Sequence, residues 1–73
     1  MKGVYYQISD EEQVFFSLRD AKHHIYMAYT SEERAKLLNG SSIVKYVNGD
    51  AVTETPIYVD SCGKYKFGKT VRL

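Results

Sequence analysis

The chain has 73 residues, 44% of them hydrophobic and 26% charged, with ten Lys and Arg against nine Asp and Glu for a net charge of +1. So short a chain buries only about 60% of its unfolded surface, which excludes a catalytic cleft between domains and leaves a modest core. Balanced charge excludes a chain-wide attraction to nucleic acid or membrane, and no stretch approaches the roughly 18 apolar residues of a membrane span.

Residues 3–8 alternate, with Val4, Tyr6 and Ile8 on one side, which is the period of a half-buried strand. The polar turn Ser9-Asp10-Glu11-Glu12 leads into Val14-Phe15-Phe16, and the two runs predict a first hairpin. Asp10-Glu11-Glu12 lacks the spacing of a calcium loop and reads as a solvated turn.

Ser17-Leu18-Arg19-Asp20 resembles a capping box and predicts the start of a helix. From there Leu18, Ala21, Ile25, Ala28 and Tyr29 fall in one stripe roughly 100° wide, the pattern of a helix lying on a sheet. Continued unbroken, that helix would carry Glu32 and Lys36 into the stripe, whereas Thr30-Ser31-Glu32-Glu33 offers a second capping box. A kink or break near Thr30 is therefore expected, then a short helix through Leu38 closed by Asn39-Gly40. His23 and His24 project about 100° apart and cannot chelate one ion, so His24 reads as a boundary residue and His23 as a solvent one.

Ile43–Val47, Asn48-Gly49 and Ala51–Val59 form a hairpin signal, because Asn-Gly supplies the two positive-φ residues of a type I′ turn. Pro56 has no N–H, so its strand should bulge there or turn that position away from a partner. Asp60-Ser61-Cys62-Gly63 makes the next turn. Cys62 is the single cysteine, which excludes an internal disulfide and a cysteine zinc cage and suits a reducing compartment. Met1–Gln7 lacks the apolar run of a signal peptide, so a cytoplasmic protein is expected.

Gly63-Lys64-Tyr65-Lys66-Phe67-Gly68-Lys69-Thr70 satisfies the phosphate-loop pattern G-x-x-x-x-G-K-[ST]. A working phosphate loop needs a helix beginning at its Lys-Thr, and here only Val71, Arg72 and Leu73 follow. The same residues alternate as a strand, with Tyr65, Phe67, Val71 and Leu73 apolar and Lys64, Lys66, Thr70 and Arg72 polar. Lys69 is out of phase beside Gly68, which could mark a bulge. No nucleotide is expected despite the motif.

The element order is ββα(α)βββ in a single α+β domain over residues 1–73, with one helix, kinked near Thr30, packed on a largely antiparallel sheet. The residues suggest no catalytic group, metal ligand set or cofactor, and the first expectation is a non-enzymatic protein-interaction or self-assembly module, possible as a homodimer. Its candidate interface residues are Tyr5, Tyr46 and Tyr58, the outward strand tyrosines, since Tyr combines apolar area with a polar tip. The alternative is a nucleic-acid-binding domain using the basic C-terminal strand, with Lys64, Lys66, Lys69 and Arg72 as phosphate contacts on one solvent-facing stripe.

Overall fold

A computed structural model describes residues 3–9 and 11–73. Met1, Lys2 and Asp10 of the acidic turn lie outside the described residues. Strands β1 (Val4–Ile8) and β2 (Val14–Phe15) are followed by helices α1 (Leu18–Ala28) and α2 (Glu32–Lys36). Strands β3 (Ser42–Val47), β4 (Asp50–Val59), β5 (Tyr65–Phe67) and β6 (Val71–Arg72) complete the chain. The result is an α+β fold of the predicted order. One six-stranded antiparallel sheet runs β2-β1-β3-β4-β5, with β6 also paired to β4.

The apolar alternation of the strands and the stripe of α1 meet in one core of Ile8, Phe15, Ala21, Ile25, Leu38, Ile43 and Ile57, flanked by Tyr6, Leu18, Tyr29, Val59, Tyr65 and Phe67. Burying an isoleucine side chain contributes about 1.5–3 kcal/mol, so Ile8, Ile25, Ile43 and Ile57, each about 1% exposed or less, anchor the helices to one face of the sheet. α1 starts where the sequence predicts, with the Ser17 hydroxyl accepting from the Asp20 N–H at 3.0 Å. It ends at Tyr29, before the second capping signal. That second cap is Ser31, which accepts from the Arg34 N–H at 3.2 Å, one residue beyond the expected Thr30. Ser31 caps through its hydroxyl alone, since the residue three positions on is Arg34 and the reciprocal Glu of a full capping box is missing. α-Helical bonding stops at Lys36 rather than Leu38. The last turn tightens, with N–H groups of Leu37 and Leu38 donating to carbonyls three residues back, a common helix ending.

Asn48 and Gly49 carry the positive φ values of 51° and 90° that the β3–β4 turn requires. Asn48 also clamps the start of β1: its side-chain oxygen accepts from the Gly3 N–H at 2.9 Å, and its own N–H donates to the Gly3 carbonyl at 2.8 Å.

The C-terminal segment departs from the expected single strand over 64–73. β5 pairs Phe67 with Ile57, whereas β6 pairs Arg72 with Thr53, so one extra residue lies between the two ladders. Pro56 supplies the reason. The Gly68 N–H donates to the Pro56 carbonyl at 2.8 Å, but proline has no N–H to return to Gly68, and the ladder ends there. A Cβ on Gly68 would lie 2.5 Å from Tyr58 Cε2 and 2.8 Å from Pro56 Cγ, so only glycine fits against those two rings without movement. Beyond it the Thr70 and Thr55 hydroxyls share a hydrogen bond of 2.7 Å, which pins the bulge to a buried residue. Pro56 itself stays in the β3–β4 ladder, opposite Ser42; the register shift of that ladder falls instead between Lys45 and Tyr46.

Candidate interaction surface

Successive strand residues point to opposite faces, so the registers assign every sheet side chain to a face. Ile8, Ile43 and Ile57 lie beneath the helices. The other face carries Tyr5 and Gln7 from β1, Val44 and Tyr46 from β3, Glu54, Pro56 and Tyr58 from β4, and Lys66 and Val71 from the edge. No helix covers that face among the described residues: α1 joins the core on the opposite side through Ala21 and Ile25, and Leu38, just past the end of α2, joins it there.

All three predicted interface tyrosines lie on this open face. Tyr5 is directly opposite Tyr46 in the β1–β3 ladder, and their rings stack at 5.0 Å with planes 9° apart. Such a pair is worth about 0.5–1.5 kcal/mol beyond its buried area and holds both rings in place. Tyr58 is 54% exposed and rests its ring against Gly68. By register it lies at the far end of the face, about 20 Å from Tyr46. Val44 and Pro56 lie between the two ends, and Val71, 49% exposed, flanks them. The charged side chains of the face are the two opposite ones, Glu54 and Lys66.

The basic residues do not form the expected stripe. Lys66 pairs with Tyr58 on the open face, but the bulge at 68–70 inverts the alternation, so Arg72 pairs with Thr53 on the helix side. Lys69 is exposed within the bulge, and Lys64 is exposed at the β4–β5 turn. There the Asp60 carboxylate accepts from the N–H groups of Cys62 and Lys64, both at 2.9 Å, which leaves Cys62 an exposed turn thiol. In the phosphate-loop motif, Gly63 closes this turn with φ 80°, Thr70 spends its hydroxyl on Thr55, and β6 follows. The helix that a phosphate loop requires does not begin at Lys69-Thr70.

Sequence reasoning missed two groupings. The first is Tyr26, which lies outside the apolar stripe of α1 and is 58% exposed. Its ring packs on Tyr65 at 5.6 Å and on Phe67 at 6.3 Å, while Lys22, one helical turn earlier, holds its Nζ 4.9 Å from the Phe67 ring. Tyr65 and Phe67 are therefore half-buried supports of a surface aromatic cluster. Burial, and then the neighbouring Tyr26, raise the pKa of Tyr65 above the ordinary 10.0. The second is Glu11, expected in a solvated turn. One of its carboxylate oxygens accepts from the Tyr29 hydroxyl at 3.1 Å and lies 3.5 Å from His24 Nε2, which ties the first hairpin to the end of α1. The His24 ring packs on Phe15 at 5.0 Å, tilted by 42°, at the boundary of the core, and His23 is exposed. The described residues contain no group of three or more side chains able to hold a metal ion, and no helix among them is long and apolar enough to cross a membrane.

Compared with protein-family models, with curated proteins and with solved structures, the chain gives no match in any of the three.

Proposed function

We propose that this chain is a non-enzymatic interaction module that self-associates through the open face of its sheet. The observation that carries the reading is the one-sided packing of the helices, which leaves Tyr5, Val44, Tyr46, Pro56, Tyr58 and Val71 on a face without cover among the described residues. The sheet edges favour the face over strand addition. β2 has two residues, and the opposite edge is divided into β5 with three and β6 with two; short, bulged edges resist pairing with another chain.

A face five strands wide, about 24 Å, and about 18 Å along the strands comes to about 860 Å² in flat projection when doubled across a two-fold axis, and side-chain relief brings it toward the roughly 1,000 Å² of a specific interface. Its charges suit a two-fold arrangement, since Glu54 of one copy can meet Lys66 of the other and the reverse. A net charge of +1 sets little repulsion against association. A lone exposed thiol, Cys62, suits a reducing compartment, and the cytoplasm is assigned as part of the same proposal.

Sedimentation equilibrium tests the reading. The wild type should be a dimer at high micromolar concentration. Glu54→Lys or Lys66→Glu alone should weaken the dimer by placing like charges opposite one another, and the double exchange should restore it. A wild type that stays monomeric throughout would exclude self-association and leave the face to a different protein.

A further inference from the structure

The second surface lies on the helix side of the sheet, where α1 runs beside β5. Tyr26 stands between two grooves. One, of about 540 Å³, is bounded by Tyr26, Tyr65, Ser31 and the Gly63-Lys64 turn. The other, of about 940 Å³, is bounded by Tyr26, Lys22, His23, Arg19 and Asp20 near the start of α1. Both are shallow and open to solvent, a shape that suits an extended strand laid across them better than an enclosed small molecule. The ring between them is exposed on its outer side and held from beneath by Tyr65 and Phe67, so little rotamer freedom remains to be lost when something stacks on it.

Cations flank the ring on both sides, Lys64 in the first groove and Lys22 with Arg19 in the second, against Asp20 in the second groove and Asp60, whose carboxylate is held by the backbone N–H groups of Cys62 and Lys64. The Asp60 carboxylate is already engaged by two backbone donors, which leaves the cations as the groups free to meet a phosphate. An aromatic face shared by two adjoining grooves, each with positive charge, matches a polymer that carries a flat base and a negative phosphate in every unit. A duplex keeps its base faces stacked inside, and an acidic peptide brings charge without a ring to place on Tyr26.

We infer that the α1–β5 seam binds a short length of single-stranded nucleic acid, with Tyr26 stacking on a base and Lys22, Lys64 and Arg19 contacting phosphates. The site is independent of the open sheet face, so either can fail without the other.

Fluorescence anisotropy on the full chain, at low and at physiological salt, would compare a labelled oligothymidylate, the same strand in duplex, and an oligoglutamate peptide. The single strand should bind most tightly. Lys22→Ala and Lys64→Ala should each lower the slope of log K against log[salt] by about 0.7. Tyr26→Ala should weaken binding about fivefold to a hundredfold, the range for losing one base stack. Tyr26→Leu keeps an apolar cover over Tyr65 and Phe67 but has no ring, and it should show the same loss with an unchanged unfolding midpoint. No binding at low salt, equal binding of oligoglutamate, or full affinity in Tyr26→Leu would each overturn the assignment.

Discussion

The two faces of the sheet are built from the same strands and differ by one residue of register. Ile43 and Val44 are neighbours in β3, yet Ile43 is 1% exposed beneath the helices while Val44 lies on the open face beside Tyr46, opposite Glu54. The helix side closes because α1 brings Ala21 and Ile25 down onto it and the turn after α2 adds Leu38. The open side has apolar area of similar character and no element of its own chain to cover it among the described residues. Burial on one side accounts for folding, and the uncovered area on the other is the surface that the proposed self-association would use. That division is the central claim.

Substitutions on the closed face should have the largest effect. Ile43→Ala or Ile57→Ala should cost about 2–5 kcal/mol through lost transfer energy and the cavity left behind, enough to unfold much of a domain this small; urea denaturation of each variant checks it. Val44→Ala, one residue away, should cost less than about 1 kcal/mol in the monomer, and a cost equal to that of Ile43→Ala would break the distinction between the faces.

Gly68→Ala comes next. Its methyl would meet Tyr58 Cε2 at 2.5 Å and Pro56 Cγ at 2.8 Å; the exposed Tyr58 ring can swing aside, but the proline ring is fixed in β4. A loss of about 1–3 kcal/mol is expected. Combining it with Tyr58→Ala should recover part of that loss, and a double-mutant cycle measures the coupling.

The smallest effect concerns pH. Burial and the nearby Tyr26 raise the Tyr65 pKa above 10.0, so the fold favours the protonated phenol. This contribution is fully present below pH 10 and is lost as pH rises through the raised value. Tyr65→Phe should flatten that alkaline decline in stability, as read from urea midpoints on either side of pH 10. An identical decline in the variant would place its origin in other groups.

Elements governed by local rules were legible in the sequence. The Ser17 cap, the Asn48-Gly49 turn and the α1 stripe each depend on residues within a few positions of one another, and the alternation of β1 and β3 assigned Tyr5 and Tyr46 to the outer face. Features decided by a neighbouring strand were not. The run from Lys64 to Leu73 reads as one strand, and what divides it is Pro56 on β4, which cannot return a hydrogen bond to Gly68. The loss of the basic stripe follows from that single missing N–H, since the bulge turns Arg72 to the face opposite Lys66. Tyr26 was illegible for a related reason: a helical wheel shows that it leaves the core stripe, but only the path of α1 over the sheet brings it onto Tyr65 and Phe67. The pattern favoured Thr30, with Glu33 three residues on, yet the helix is capped one residue later by Ser31.

Isotope-filtered NMR on an equal mixture of labelled and unlabelled chains tests the division of the faces most directly, because it reports only contacts between copies. Intermolecular signals should arise from Tyr5, Val44, Tyr46, Pro56, Tyr58 and Val71 and should be absent from Ile25, Ile43 and Ile57. Contacts that map to α1 or to the sheet edges, or a concentrated sample with none at all, would contradict the account.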